Sequence, residues 1–258
     1  MVVAAYRLWF AALIALPAAL PIIRTHRLTP KHAALIALSG LLLALHFTTW
    51  LMSLAYVSVA VSVTLVNTAP IWVAALSWLL FRQRPSRGTM IGIGISVAGG
   101  IIIASVGSGS GANLAVGAAL AIAGAVTVAG YLLISGYVQR AGYPSLAYVG
   151  LTYTAAALAI TPVPWLFGEP YGGYPLATYG WFVLLAIGPQ LIGHSGLNYA
   201  TKFVSPTLVS TVTLLEPLGA SILALLVFSE VPPATTLLGS AVLLVGLIIT
   251  ARHSGATD

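Results

Sequence analysis

Nine long hydrophobic runs, separated by short polar gaps, make up almost the whole chain. Each run holds about the 20 apolar residues that an α-helix needs to cross a bilayer. We predict membrane-spanning helices at residues 2–23, 33–56, 58–81, 88–106, 114–138, 145–167, 179–201, 205–228 and 234–251. The pattern therefore predicts an all-α integral membrane protein.

Composition agrees with this fold class. The chain is 59% hydrophobic and only 5% charged, whereas a soluble domain is about 25% charged. It contains no cysteine, which excludes disulfides and thiolate metal sites. The first run is too long for the core of a signal peptide and carries Arg7, so we interpret it as a membrane span.

The basic residues indicate the orientation of the helices. Nine of the ten Lys and Arg residues fall in alternate gaps: Arg24, Arg27, Lys31, Arg82, Arg84, Arg87, Arg140, Lys202 and Arg252. The opposite gaps carry Glu169 and Glu230 instead. By the positive-inside rule, this pattern predicts a cell (inner or plasma) membrane protein with a cytoplasmic C-terminus. Because the basic residues lie in the gaps between spans, the net charge of +6 does not indicate that the protein binds nucleic acid.

An internal repeat organises the spans. Residues 55–104 overlay residues 202–251 without a gap when they are shifted by 147 positions. The shared positions include Ser58 with Ser205, Pro70 with Pro217, Gly92 with Gly239, and Gly99 with Gly246. Because the copies lie five spans apart, an odd number, they must be inverted in the membrane. Inverted repeats with a site near the midplane are an architecture of secondary transporters.

The repeat divides the chain into two unequal halves. We predict a first half-repeat of four helices at 1–106, a linker at 107–113, a second half-repeat of five helices at 114–252, and a cytoplasmic tail at 253–258. The fifth span has no counterpart in the first half. We therefore expect a further helix before Met1, lost by truncation or by a mis-assigned start; a genuine nine-helix protein is the alternative.

Several motifs resemble a known family. In the second half they are residues 193–206 (GHSGLNYATKFVSP), 215–218 (LEPL) and 228–232 (FSEVP); in the first half they are residues 50–58 (WLMSLAYVS) and 67–72 (NTAPIW). These segments resemble the EamA family of the drug/metabolite transporter superfamily. The resemblance implies ten helices in two inverted halves, and secondary transport, commonly export of small metabolites such as amino acids. The first half departs from it by having Gln83 where the second has Glu230.

Glu216 is the strongest candidate for proton coupling. It lies near the middle of the eighth run, where a charged carboxylate costs about 3 kcal/mol. The alternative interpretation is a permanently protonated acid bonded to a neighbouring helix. Pro217 follows at once and removes the backbone donor to the Thr213 carbonyl. Pro217 and its repeat mate Pro70 are hinge candidates for alternating access, or static bends.

A polar stripe marks the seventh run. Gln190, His194 and Asn198 recur every four residues, so they share one helix face. They line a polar pathway or bond one helix to another. His194, together with His46 on the second run, is a further proton-coupling candidate, because histidine titrates near neutral pH.

Other side chains are candidates for a substrate cavity. The full set is Trp50, Asn67, Trp72, Tyr131, Tyr153, Gln190 and Asn198. The aromatic members lie within spans and form either a wall for substrate or ordinary core.

The sequence shows no catalytic set, Walker loop or metal-spaced cluster. We therefore expect no enzyme activity, cofactor or metal. The predicted function is secondary-active transport, as an exporter of small metabolites such as amino acids or drug-like molecules, by alternating access. A lipid or lipid-precursor flippase is one alternative, and a non-transport membrane subunit or enzyme is another. The expected partners are a small molecule, the lipid bilayer and possible coupling protons; the oligomeric state is left open.

Overall fold

The protein is all-helical wherever the structure, a computed structural model, describes it. The described residues are 1–104, 113–229, 231 and 233–253. Residues 107–112 of the predicted linker, Glu230, and residues 254–258 of the predicted tail lie outside them. The helices are α1 Val2–Thr25, α2 Pro30–Ser53, α3 Val59–Val66, α4 Ala69–Phe81, α5 Arg87–Ala104, α6 Leu114–Arg140, α7 Ser145–Ile160, α8 Pro162–Leu166, α9 Leu176–Leu185, a π-helix Ala186–His194, α10 Ser195–Ala200, α11 Pro206–Val212, a 3-10 turn Thr213–Leu215, α12 Glu216–Phe228 and α13 Ala234–His253.

Seven helical segments in the described ranges are long and apolar enough to cross a membrane. They are Val2–Thr25, Pro30–Ser53, Val61–Phe81, Leu114–Arg140, Ser145–Leu166, Leu176–Ala200 and Ala234–His253. The predicted fourth and eighth spans appear as the shorter apolar helices Arg87–Ile103 and Pro206–Leu215. The all-α membrane fold class is thus confirmed. Helix α12 Glu216–Phe228 continues the eighth run directly after Pro206–Leu215.

The internal repeat extends to local structure. A shift of 147 residues carries the first residues of α3, α4 and α5 onto those of α11, α12 and α13. The first helix of each copy begins with a serine cap. Ser58 Oγ accepts a hydrogen bond from the Val61 N–H at 3.3 Å, and Ser205 Oγ accepts one from the Leu208 N–H at 3.2 Å. The same sequence signals therefore start the helices in both copies.

Both repeat prolines stand at a helix start. Pro70 lies in the first turn of α4 and Pro217 is the second residue of α12. The N–H groups of a first helical turn have no partner within the helix, so proline loses no hydrogen bond there. The Thr213 carbonyl, which Pro217 cannot bond, accepts the Glu216 N–H in the 3-10 turn. The predicted continuous third and eighth spans are therefore each broken into two helices.

The chain divides into two compact units that do not follow the predicted halves. Unit 1 comprises Met1–Leu51 and Gly130–Phe203, and unit 2 comprises Met52–Ala129 and Val204–Asp258. Each unit takes segments from both predicted half-repeats. Helix α6 supplies residues to both units, since its residues up to Ala129 belong to unit 2.

Glycines bring α5 and α13 together in unit 2. A Cβ atom at Gly99 would lie 2.7 Å from the Gly239 carbonyl oxygen, and one at Gly92 would lie 2.8 Å from that of Gly246. These two contacts are equivalent under the repeat. Small residues permit such close approach between membrane helices. Between them, Ser96 Oγ donates to the Leu243 carbonyl at 3.3 Å.

Cysteine labelling tests the predicted orientation. Gln83 and Gly172 are exposed, lie in gaps predicted to face opposite sides, and belong to a cysteine-free chain. We expect a membrane-impermeant maleimide to label Gly172→Cys in intact cells, and Gln83→Cys only after permeabilisation. The reverse pattern would show that the positive-inside assignment is wrong.

Candidate functional site

Unit 1 brings together seven of the side chains selected from the sequence. They come from α2, α6, α7, the π-helix and α10: His46, Trp50, Tyr131, Tyr153, Gln190, His194 and Asn198. A chain of ring contacts links several of them. The His46 ring stacks on Trp50 at 6.0 Å, and the His194 ring lies 5.6 Å from Phe47 and 6.2 Å from Tyr131, between centroids. We call this group the unit 1 cluster.

Arg7 lies beside the cluster, although the sequence did not identify it as a site residue. Its side chain is buried, with 9% of the residue exposed. Its Nε donates to Gln190 Oε1 at 2.8 Å, and its Cζ lies 4.4 Å from the centroid of the Phe47 ring. A charged side chain within a membrane span is costly and is commonly functional. The position of Arg7 could have identified it from the sequence, because it is the one Lys or Arg residue inside a predicted span.

A π-helix positions Gln190 and His194. The predicted seventh span changes at Ala186–His194 from α-helical to π-helical geometry, with Pro189 inside it. Pro189 has no backbone N–H and so cannot donate to the carbonyl one turn earlier. In a π-helix each N–H bonds the carbonyl five residues back, so the residue after the proline can bond that carbonyl instead. Tyr153 Oη donates to the Gln190 carbonyl at 3.1 Å and pairs with Ser195 Oγ at 3.0 Å. Such π segments are frequent at functional sites.

Asn198 takes part in bonding between helices. Its Nδ2 donates to Tyr131 Oη and, at 2.8 Å, to the His194 carbonyl. Gln139 Nε2 donates to the Asn198 carbonyl at 2.8 Å and to Ser135 Oγ at 2.7 Å. Because Ser135 and Gln139 lie on α6, this end of the polar stripe ties α10 to α6.

Several polar atoms of this region are buried without a hydrogen-bond partner among the described residues. They are Gln190 Nε2, His194 Nδ1, Asn198 Oδ1 and Gln139 Oε1. Most buried polar atoms in proteins are hydrogen-bonded. These atoms are therefore candidates for contact with a polar ligand.

The remaining candidates belong to unit 2. Asn67 is the residue at which α3 ends, and its N–H donates to the Val63 carbonyl at 2.8 Å. Trp72 is half-buried, and its Nε1 donates to Thr68 Oγ1 at 3.2 Å. Glu216 is the first residue of α12 and is exposed.

Glu169 holds the start of α1. Its Oε2 accepts hydrogen bonds from the Met1 amino group at 2.6 Å and the Val2 N–H at 2.8 Å. Burial acts to raise the pKa of this carboxyl, but the hydrogen bonds and the positive charge outweigh it and hold the pKa below its usual value. The interaction therefore stabilises the fold above the unfolded-state pKa, and is lost as the pH falls through the lowered one.

The fold and this cluster define a multi-pass membrane protein with a buried polar centre, the general form of a transporter. The model of the EamA-like transporter family matches residues 1–105 and 115–252. The chain belongs to this family, which is part of the drug/metabolite transporter superfamily. Its members are transporters rather than enzymes, with a small-molecule substrate and the lipid bilayer as partners.

Comparison with solved structures supports the fold. A structure titled "Crystal structure of protein" superposes with a TM-score of 0.78 at 19% sequence identity, over 98% of this chain and 88% of that chain. At this identity the likeness concerns the fold alone. No curated protein gave a significant match to the sequence.

Proposed function

We propose that the protein is a secondary-active transporter that exports small metabolites, such as amino acids or drug-like molecules, by alternating access. The observation that carries this proposal is the buried Arg7–Gln190 pair at the π-helix of a transporter-family member. A buried charge bonded to an amide is expensive to maintain in a bilayer. A binding site for a transported solute accounts for its position beside unpartnered polar atoms.

The broken spans supply the conformational element of the proposal. In unit 2, the α3–α4 and α11–α12 breaks occupy equivalent places in the repeat. At a helix break, the helical segments on either side can change their angle to each other while each keeps its own backbone hydrogen bonds. We propose Pro70 and Pro217 as the hinges, Glu216, His46 and His194 as proton-coupling candidates, and the cell membrane, with a cytoplasmic C-terminus, as the location.

Reconstitution tests the transport activity directly. Purified protein in liposomes is supplied with amino acids, nucleobases and cationic drugs, with and without a proton gradient. We expect at least one class to cross faster than in liposomes holding an unrelated membrane protein at the same protein-to-lipid ratio. If no solute crosses and a fluorescent phospholipid is exchanged between leaflets instead, the flippase alternative replaces this proposal.

A further inference from the structure

We propose that the surface where α2 begins and α6 ends binds the headgroup phosphate of an anionic phospholipid. Five side chains define this surface, which we call the basic patch: Arg24, Arg27, Lys31, His32 and Arg140. All five belong to unit 1. A lipid bound here is a partner of the protein at the membrane surface, distinct from the transported solute.

Two contacts hold the start of α2 against the end of α6. Lys31 Nζ donates to Tyr137 Oη at 2.6 Å and lies 5.0 Å from the centroid of the same ring. The His32 ring lies 6.3 Å from the ring of Tyr143, just beyond the end of α6. Tyr137 and Arg140 are three residues apart on one helix and are therefore neighbours on its surface. Arg140 thus belongs to the same surface as Lys31.

The basic patch lies at the depth of lipid headgroups. The membrane-spanning segment Val2–Thr25 ends there, Pro30–Ser53 begins there, and Leu114–Arg140 ends there as well. The ends of membrane-spanning helices lie in the interfacial region of the bilayer. Because the side chains of Lys31 and Arg140 are exposed, they can reach a phosphate in that region.

The charge of the basic patch favours an anion. Unit 1, all of which the structure describes, contains one acidic residue, Glu169. Glu169 pairs with the Met1 amino group at the start of α1, whereas Arg24 lies in the last turn of that helix. A helix of this length puts its two ends roughly 35 Å apart, so unit 1 supplies no carboxylate to the basic patch. The first turn of α2, at the positive end of its helix dipole, adds to the attraction for a phosphate.

A buried hydroxyl distinguishes the basic patch from a general excess of basic residues at one membrane face. Tyr143, which contacts His32, is 5% exposed, and its Oη has no hydrogen-bond partner among the described residues. Most buried polar atoms are hydrogen-bonded. A phosphate bound beside His32 gives the Tyr143 hydroxyl a candidate acceptor.

The face of α2 that carries Lys31 also suits an acyl chain. Leu38 and Leu45 follow Lys31 in steps of seven residues, and both are exposed. Seven residues are close to two turns of an α-helix, so the three side chains form one row that runs into the membrane. A lipid whose phosphate lies at Lys31 can place an acyl chain along this row, which favours a phospholipid over free phosphate.

Thermal shift of the full chain in detergent measures the binding. The probes are dioleoyl phosphatidylglycerol, which is anionic, dioleoyl phosphatidylcholine, which has the same acyl chains and no net charge, and glycerol 3-phosphate, which has no acyl chain. We expect phosphatidylglycerol to raise the melting temperature at a concentration at least about 5-fold lower than either of the other two probes, because each basic side chain at the surface strengthens binding of an anionic lipid by about that factor.

Four single substitutions locate the site. Lys31→Gln and Arg140→Gln should each weaken phosphatidylglycerol binding about 5-fold. Tyr143→Phe should keep the melting temperature of the lipid-free protein and weaken the binding about 10-fold, through loss of a hydrogen bond to a charged group. Arg84→Gln is the matched control. Arg84 is also an exposed cation over an aromatic ring, 5.8 Å from the centroid of Trp78, but it belongs to unit 2, so its loss should leave the binding unchanged.

Equal shifts by the two lipids would overturn the proposal. A loss of binding in Arg84→Gln as large as that in Lys31→Gln would also overturn it, since net charge rather than the basic patch would then decide. Stabilisation by glycerol 3-phosphate at the same concentration as phosphatidylglycerol would show that the site takes phosphate alone and that the lipid assignment is wrong. If Lys31→Gln fails to fold, unchanged binding in Arg140→Gln and Tyr143→Phe overturns the proposal equally.

Discussion

Gly99→Ala is expected to lower the melting temperature of the purified protein by roughly 2–12 °C. The added Cβ would lie 2.5 Å from the Leu243 nitrogen and 2.7 Å from the Gly239 carbonyl oxygen. Both are backbone atoms, so the clash cannot be relieved by rotating a side chain. Overpacking of this kind costs about 1–3 kcal/mol, and each kcal/mol shifts the melting temperature of a chain of this length by roughly 2–4 °C.

The adjacent glycine provides a matched control. A Cβ at Gly100 would meet no atom within 4 Å among the described residues. Alanine is favoured over glycine within a helix by about 0.5–1 kcal/mol, so Gly100→Ala should leave the melting temperature unchanged or raise it slightly. Equal melting temperatures for the two variants would show that α5 and α13 do not pack through Gly99.

The glycine contacts show what a spacing pattern predicts and where it fails. Small residues recur at every fourth position of α5, at Gly88, Gly92, Ser96 and Gly100, and this spacing predicts a small-residue ridge along one face. The structure confirms the ridge as far as Ser96 and then continues it through Gly99. An α-helix has 3.6 residues per turn, so a strict step of four drifts off the face after two steps. The internal repeat indicated the packing position Gly99 better than the spacing did, because Gly99 and Gly246 are equivalent in the repeat.

The helix breaks were only half predictable. The sequence placed Pro70 and Pro217 at equivalent positions and predicted a disturbed backbone at Thr213, which the 3-10 turn confirms. It did not predict that α4 and α12 begin there as separate helices. A proline fits a kink inside one helix and the first turn of a new helix equally well, so tertiary packing decides between them.

Sequence reasoning selected part of the unit 1 cluster, and the functional role of that cluster stays a prediction. Helical spacing found Gln190, His194 and Asn198, and unit 1 contains all three. The π-helix was missed because a π segment has no composition of its own. Arg7 was missed as a site residue because a basic residue near the start of a span is usually a boundary signal. Only the three-dimensional contact with Gln190 distinguishes the two roles.

Glu216→Gln is expected to abolish the response of transport to a pH gradient while the protein still folds and inserts. Glu216 is exposed at the first residue of α12, directly after the 3-10 turn. Proton coupling needs a group that changes charge between access states, and a carboxylate ionises in contact with water and is neutral when sealed from it. Glutamine keeps the size of the side chain but releases no proton. The measurement is the ratio of fluxes with and without the gradient, which should fall to about one.

Glu169→Gln is the control, because it makes the same chemical change in an acid whose partners are the Met1 amino group and the Val2 N–H. Its flux ratio should remain that of the parent. If Glu216→Gln is monodisperse in detergent and keeps the parent flux ratio, Glu216 is not the coupling group. The role then passes to His46 or His194, both in unit 1, where His46→Gln and His194→Gln repeat the test. An aggregated Glu216→Gln would instead favour the structural interpretation, an acid needed for packing at the break between α11 and α12.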